Sequence, residues 1–170
     1  MRALKICLLL LALTHGAACA AGDELSGDEA EDPGFDSWTP DGLPSAWLVQ
    51  EGAVERTATW HQRDYGSSLL GAPVVPYQDR ALGSEACQLE FLFVADVDQA
   101  AQVSVEIDAG ADGTAEQVHQ VPSAAWTPLS FTTSAELPAG LLRTTIRKLG
   151  EGRAVLAHIQ ANVHHCGESP

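Results

Sequence analysis

Basic residues are scarce in this sequence: nine Lys and Arg stand against 23 Asp and Glu, a formal net charge of −14 in 170 residues. Two of the nine, Arg2 and Lys5, lie in the first 19 residues, and without them the charge is −16. Nucleic-acid binding relies on Lys and Arg to neutralise phosphates, and anionic lipid headgroups also attract basic residues. We therefore exclude nucleic acid as a partner and expect membrane contact only through a lipid anchor. A neutral or cationic partner is compatible with this charge.

The short motifs of common catalytic sites are also missing. The sequence has no Gly-x-Ser-x-Gly nucleophile motif, no His-Glu-x-x-His metal motif and no glycine-rich phosphate loop. Four of the six histidines lie in the C-terminal third without a partnered nucleophile in view. Paired carboxylates for glycoside hydrolysis have no signature of this kind, but the small two-sheet domain predicted below is of a size that usually binds rather than cleaves. We predict a protein that is not an enzyme.

An apolar run near the N-terminus, residues 6–13 (ICLLLLAL), follows the basic residues Arg2 and Lys5. The run is too short to span a bilayer and has the length of the hydrophobic region of a signal peptide. Two cleavage sites fit the small residues that follow. A type I signal peptidase would cut after Ala20, whereas residues 16–19 (GAAC) resemble the bacterial lipobox, with Gly16 where Leu is usual. We predict a signal peptide over residues 1–19 and an exported protein.

The segment after the apolar run favours the lipobox interpretation. Residues 20–33 are acidic, contain glycine and have almost no large apolar side chains, so they cannot bury enough surface to become ordered. A flexible acidic linker beside Cys19 suits a domain tethered through a lipid on that cysteine. Ala20 in place of Asp resembles lipoproteins sent to an outer membrane. We expect an outer-membrane or cell-surface lipoprotein, with a free periplasmic or secreted protein as the alternative.

Residues 34–166 show no sustained helical periodicity. Short runs with apolar residues at every second position alternate with turn residues, which indicates antiparallel β-strands. Eight strands in about 130 residues fit a two-sheet β-sandwich of the jelly-roll type. We therefore predict an all-β domain over 34–166 and a short tail over 167–170. The predicted strands cover residues 47–54, 56–61, 67–71, 88–95, 102–108, 127–132, 141–148 and 153–164.

The last of these strands predicts two sheet faces, because successive side chains of a strand point to opposite sides. Its polar face carries His158 and His164. The apolar residues predicted to share the other face are Val155, Ala157, Ile159, Ala161 and Val163.

Three phrases occur in a characteristic order: GFDSW at 34–38 with PDGLP at 40–44, then WTPLSF at 126–131, then RAVLAHIQANV at 153–163. They resemble the "G-F-E-x-W … P-x-G-W" opening, the "W-x-x-x-S-F/V" strand and the final "v-y-i-D-D-v-x-v" strand of carbohydrate-binding modules of the type 4/9 group, which have a galactose-binding-domain-like fold. The resemblance covers most of residues 34–163. It implies a jelly roll that binds sugar without chemistry, with Trp47 and Trp126 packed in the core.

Members of that group commonly hold a structural calcium ion, with a carboxylate of the last strand among its ligands. Calcium prefers several oxygen ligands, whereas Ala157 and His158 stand at the matching positions here. This departure argues against a calcium site, and we predict no cofactor. The acids left to supply oxygens are Asp96, Asp98, Asp108 and Asp112.

Two stretches combine aromatic with hydrogen-bonding side chains: residues 60–65 (WHQRDY), and residues 73–78 (PVVPYQ), which we interpret as a loop. Sugar recognition uses a flat aromatic face for the C–H side of the ring and planar polar groups for the hydroxyls. The alternative is that Trp60 and Tyr65 only cover a sheet edge. The candidate ligand-binding residues are Trp60, Gln62, Arg63, Tyr65 and Tyr77.

Cys87 and Cys166 are the two cysteines of the predicted domain. An even pair in an exported domain predicts a disulfide. The alternative is a metal site that combines Cys166 with His164, His165 and His158, although such sites need three or four converging ligands. We favour the disulfide and predict no metal.

Two functions fit these patterns. The first is a tethered, non-catalytic module that binds carbohydrate, and the second is an envelope lipoprotein that uses the same sandwich for protein contact or structural support. Metal binding in the periplasm through the terminal histidines is a weaker third. We expect a monomer whose partner is a glycan or an envelope protein.

Overall fold

The computed structural model of the protein describes residues 35, 37–58, 65–124, 126–133 and 137–166. All hydrogen-bonded strand pairs within this part are antiparallel, which confirms the all-β prediction. No helix of the described part is long and apolar enough to cross a membrane. The described strands are β1 (Leu48–Ala58), β2 (Tyr65–Leu82), β3 (Ala86–Val97), β4 (Gln102–Ala109), β5 (Gln117–Val121), β6 (Thr127–Thr133), β7 (Gly140–Leu149) and β8 (Ala154–His165).

Strand β2 connects the two layers of the sandwich. Its first part, Ser67 to Leu69, pairs with β8, and its second part, Val74 to Leu82, pairs with β7. The sheet therefore runs β5-β4-β7-β2-β8-β3-β6, with β1 along the other edge of β2. We call residues 48–51 of β1, residues 74–82 of β2, β7, β4 and β5 the first layer, and residues 53–58 of β1, residues 65–70 of β2, β8, β3 and β6 the second layer. This curled sheet has the architecture of a jelly roll.

Alternating residues of both layers fill the space between them. Val105 and Ile107 of β4, Ile146 of β7 and Leu89 and Phe93 of β3 are at most 1 % exposed. Fully burying a side chain of this size stabilises the fold by about 1.5–3 kcal/mol. Since side chains alternate along a strand, the residues between these positions point away from the core.

The edges of the two layers meet through a stack of rings. The His119 ring of β5 lies 4.1 Å from the Phe131 ring of β6, and Phe131 in turn lies 5.1 Å from Phe91 of β3. Strand β5 was not predicted, because its pattern QVHQV leaves Val118 53 % exposed and buries Val121. Strand β5 is held by its pairing with β4, by the buried Val121 and by the His119–Phe131 stack.

The predicted strand boundaries were wrong between residues 47 and 82. Strand β1 is continuous where two strands were predicted, and residues 73–78 belong to β2 rather than to a loop. Gly71, with φ of 81°, and the cis Ala72-Pro73 peptide lie where β2 changes its partner from β8 to β7. The turn residues Gly71 and Pro73 thus mark a bend between the layers, and β2 continues through this bend.

The predicted faces of β8 were also wrong at its first residues. Val94 pairs with His158 but Ala95 pairs with Leu156, so Ala157 is an extra residue in a β-bulge. A bulge shifts the alternation by one residue. The residues of β8 in the core are therefore Ala154, Leu156, Ile159, Ala161 and Val163.

The predicted disulfide is present in the structure, whereas the predicted core position is correct for Trp47 and wrong for Trp126. The disulfide between Cys87 and Cys166 is confirmed, with 4.9 Å between the Cα atoms, and it links the beginning of β3 to the residue after β8. Trp47 is buried in the core at 2 % exposure, as predicted, and stacks on Phe35 at 5.6 Å. Trp126 is half-buried and outside the core cluster, with φ of 47°, so the prediction of a core position was wrong for it.

Candidate functional site

The outward face of the first layer carries a groove. Arg143, Thr145 and Arg147 alternate with the core residues of β7, and they lie beside Tyr77 of β2 and Glu106 of β4. Because these strands are neighbours, their outward side chains form cross-strand rows about 5 Å apart. The rows bring polar and aromatic groups from three strands onto one surface.

Two adjoining recesses make up the groove, and both are lined by Gln50 and Arg143. The larger recess has a volume of about 560 Å³ and the smaller about 190 Å³. The other residues of the larger recess are Thr39, Leu43, Pro44, Ser45, Trp47, Leu48, Val49 and Tyr77. Those of the smaller recess are Glu106, Asp108, Gly113, Ala115, Thr145 and Arg147.

Arg143 lies at the junction of the two recesses. Its Nε and Nη2 atoms donate hydrogen bonds of 2.6 and 2.7 Å to the two oxygens of Asp79, and its Cζ lies 4.4 Å from the centre of the Tyr77 ring. The hydrogen bonds that Arg143 donates to Asp79 raise the pKa of Arg143, against the opposing effect of desolvation. The guanidinium is therefore charged at neutral pH, and its contribution to stability is lost only as alkaline pH rises through the raised pKa.

Arg147 forms the second ion pair of the groove. Its Nε and Nη2 atoms donate to the two oxygens of Glu106 at 2.7 and 3.2 Å. This hydrogen bonding raises the pKa of Arg147, while desolvation lowers it and Glu51 adds a further attraction. Forked pairs of this kind hold both side chains in a defined plane.

The far end of the smaller recess is shaped by Asp108. Its two carboxylate oxygens accept hydrogen bonds from the backbone N–H groups of Asp112 and Gly113, at 3.1 and 2.8 Å. Glu116 also accepts one from the N–H of Ala109 at 2.7 Å. Asp108 at the end of β4 and Glu116 of the β4–β5 loop thus hold this loop against β4 beside the groove.

The other end of the groove is formed by residues 37–45, before β1. Trp38 and Pro44 form an isolated β-bridge, and the Thr39 N–H donates to the Leu43 carbonyl at 2.8 Å. Leu43 and Leu48 are 47 % and 59 % exposed beside the larger recess. The groove therefore has an apolar rim at this end and a charged floor towards β4.

Of the five predicted ligand-binding residues, the structure brings Tyr77 into the groove. Trp60, Gln62 and Arg63 lie outside the described residues, as does the lipidation candidate Cys19. The backbone of Tyr65 begins β2, twelve residues before Tyr77, which is up to about 40 Å of extended chain. Tyr65 and Tyr77 therefore lie in the two differently paired parts of β2, on either side of its bend at Gly71.

The sequence analysis missed the residues that form most of the groove. A usable signal was present in β7, where the polar side chains of Arg143, Thr145 and Arg147 recur at every second position. The sequence does not relate these positions to Glu106 of β4, because the pairing of distant strands is not visible in it.

In the part of the chain that the structure describes, no group of three His, Cys, Asp or Glu side chains converges as a metal site requires. His164 contacts Glu90 at 3.4 Å, and Cys166 is in the disulfide. The acids considered for calcium bind protein groups: Asp96 pairs with Arg153, and Asp98 accepts the Arg153 N–H at 3.0 Å.

No family model matches the sequence, and no curated protein is significantly similar to it. Solved structures that superpose on this chain include several carbohydrate-binding modules. TmCBM61, solved in complex with β-1,4-galactotriose, superposes with a TM-score of 0.58 at 15 % identity, over 79 % of this chain and 97 % of that one. A CBM4 structure superposes with a TM-score of 0.54 at 15 % identity, over 79 % and 99 % of the two chains.

The xylan-binding CBM22-1 domain of Paenibacillus barcinonensis Xyn10C gives a TM-score of 0.52 at 16 % identity, over 79 % of this chain and 94 % of that one. At these identities the likeness is one of fold. The chain thus has the jelly-roll fold of carbohydrate-binding modules, as its sequence phrases predicted.

Proposed function

We propose that this protein is a non-catalytic module that binds carbohydrate in the groove of the first layer. The observation that carries the proposal is the arrangement of Arg143 between Tyr77 and Asp79, on the open face of a fold shared with carbohydrate-binding modules. A guanidinium has five N–H donors in one plane, and Asp79 takes two of them. The others can meet sugar hydroxyls.

The dimensions of the groove support an extended ligand. Gln50 of β1, Tyr77 of β2, Arg143 of β7 and Glu106 of β4 lie on four neighbouring strands. At about 4.8 Å per strand spacing, the floor is about 14 Å wide. This width accommodates a short segment of a polysaccharide chain.

A glycan array probed with the protein tests the proposal, followed by titration calorimetry on the best ligand. We expect Arg143→Ala to weaken binding by about tenfold or more, because a hydrogen bond from a charged donor contributes about 1.5–3 kcal/mol. Arg153→Ala is the matched control, since it also breaks an Arg–carboxylate pair but lies outside the groove. Equal loss in the two variants, or an array without any bound glycan, would contradict the proposal.

A second candidate function is protein contact through the same groove. The exposed Leu43 and Leu48 on its rim favour this alternative, because exposed apolar side chains commonly mark protein interfaces. A Leu48→Ser variant distinguishes the two. Loss of an envelope-protein cross-link with unchanged glycan binding would support the protein partner.

We further propose that the chain is exported and tethered through a lipid on Cys19, with residues 20–33 as the linker. The basic, apolar and small-residue regions before Cys19 support this proposal. Radiolabelled palmitate should enter the wild-type protein and not Cys19→Ser. Incorporation that survives this substitution would indicate that Cys19 is not the attachment site.

The proposed module needs no calcium or other metal. The carboxylates of Asp96, Asp98 and Asp108 already bind an arginine or backbone N–H groups. We expect the melting temperature to be the same with and without a chelator. A lower melting temperature in the chelator would reveal a structural metal ion.

A further inference from the structure

Both arginines of the groove floor are neutralised from within the protein. Arg143 is bound by both oxygens of Asp79, and Arg147 by both oxygens of Glu106. These two pairs are cross-strand neighbours that lie partly exposed, with 28 % and 39 % of the arginine side chains accessible. The guanidinium groups are thus presented to a ligand as parts of neutral pairs.

Carboxylates outnumber guanidinium groups on this floor. Besides Asp79 and Glu106, the floor has a third acid, Asp108, which lies near Arg143. Glu51 lies close enough to Arg147 to raise the pKa of Arg147. The whole chain adds to this field with its net charge of −14. At about 4 Å in water, each like-charge contact costs about 1 kcal/mol, and this repulsion recurs for every acidic sugar of a polyuronate chain.

We propose that Asp79 and Glu106 determine the charge selectivity of the groove, which accepts uncharged polysaccharide and rejects polyuronate. This inference rests on the proposed function and specifies its ligand class. An arginine without its carboxylate partner binds carboxylates through a bidentate fork. Asp79 and Glu106 occupy that fork, so a uronate must displace a carboxylate that is already in place, whereas a neutral hydroxyl uses the remaining N–H donors.

Affinity electrophoresis of the protein tests this selectivity. The gels contain either an uncharged chain, β-1,4-galactan or linear β-1,4-xylan, or polygalacturonate, each at low salt and at 0.15 M NaCl. The variants are Asp79→Asn, Glu106→Gln and the double variant, which keep side-chain shape and remove charge. Glu55→Gln is the matched control, because this exposed acid of β1 lines neither recess. Melting temperatures establish that each variant is folded.

We expect the wild type to be retarded by an uncharged chain and at least about tenfold less by polygalacturonate, a difference of about 1.4 kcal/mol. Each groove variant should gain retardation by polygalacturonate, with the largest gain in the double variant. Because the gain is electrostatic, it should decrease at 0.15 M NaCl. Glu55→Gln should behave as the wild type.

Three results would overturn the inference. Equal retardation of the wild type by charged and uncharged chains would refute the selectivity while leaving the proposed function in place. Folded groove variants without any gain on polygalacturonate would show that Asp79 and Glu106 do not set it. Absence of retardation by all the polysaccharides tested would overturn this inference, whereas the proposed function is contradicted only by an array without any bound glycan.

Discussion

The guanidinium of Arg143 covers one face of the Tyr77 ring, with 4.4 Å between Cζ and the ring centre. A sugar that enters the groove from this side meets the guanidinium plane before the aromatic ring. Tyr77 therefore acts as a support for Arg143, and a cation–π contact at an exposed site is worth about 0.5–1 kcal/mol. We expect Tyr77→Ala to weaken glycan binding by about two- to fivefold in titration calorimetry.

Tyr77→Phe is the matched variant for this prediction, because phenylalanine also offers an aromatic face to a cation. Its loss of affinity should be smaller than that of Tyr77→Ala. Tighter binding by Tyr77→Ala would show instead that the ring restricts access to the larger recess.

The fold could be predicted from the sequence wherever one face of a strand is apolar and the other polar. Strand β4 is an example, since Val103, Val105 and Ile107 alternate with polar residues and its predicted bounds agree with the structure within one residue. The sequence did not reveal the bulge at Ala157, because both faces of β8 are apolar at its start. The alternation of apolar and polar residues then does not show which side chains of β8 face the core, and the pairing of β8 with β3 determines this.

The site was less accessible to prediction than the fold. Tyr77 was identified as an aromatic residue beside Gln78 in a proline-flanked stretch, which the sequence alone makes visible. Arg143 and Asp79 are 64 residues apart, and their relation depends on the pairing of β2 with β7. A local reading of the sequence treats each of them as an ordinary charged residue on the outer face of a strand.

Gly52 is expected to be intolerant of any side chain. Its φ is 76°, and a Cβ atom there would lie 2.6 Å from the Pro73 carbonyl oxygen, at the bend of β2. Gly52→Ala combines this backbone clash with the cost of about 1–2 kcal/mol for a left-handed conformation. We expect a loss of at least about 3 kcal/mol in the free energy of unfolding, measured by urea denaturation.

Gly42 provides the control for this substitution. Its φ of 79° is similar, but a Cβ atom there meets nothing within 4 Å. Gly42→Ala should therefore cost about 1–2 kcal/mol, which is the conformational part of the effect. Equal losses in the two variants would mean that the approach of Gly52 to Pro73 relaxes without cost.

Lys148 is buried at 1 % exposure, and its ammonium group donates to the carbonyl oxygens of Gly71 and Gly150. It thereby links the end of β7 to the bend of β2. Lys148→Met removes hydrogen bonds from a charged donor, each worth about 1.5–3 kcal/mol, but also relieves the desolvation of a cation. We expect the hydrogen bonds to dominate, with a net loss of about 2 kcal/mol in urea denaturation. A more stable Lys148→Met protein would show that desolvation is the larger effect.

The disulfide between Cys87 and Cys166 closes a segment with a sequence separation of 79. In the chain-entropy model, a loop of this length restricts the unfolded chain by about 4.5 kcal/mol. We expect the Cys87→Ser, Cys166→Ser double variant to lose about 4 kcal/mol in the free energy of unfolding, measured by urea denaturation. Reduction of the wild-type protein should give a similar loss.

The urea m-value, the slope of the unfolding free energy against urea concentration, shows whether the disulfide acts on the unfolded chain or on the native state. In the native state the ends are also held by backbone hydrogen bonds, from Cys166 to Glu85 at 3.2 Å and between Ala86 and Leu137 at 2.9 and 2.7 Å. Removing the disulfide should therefore leave the folded protein intact and expand mainly the unfolded chain, which raises the urea m-value. Glycan binding should be unchanged, because the disulfide joins strands of the second layer and the groove lies on the first. A lower m-value together with weaker binding would show that the disulfide instead shapes the native sandwich.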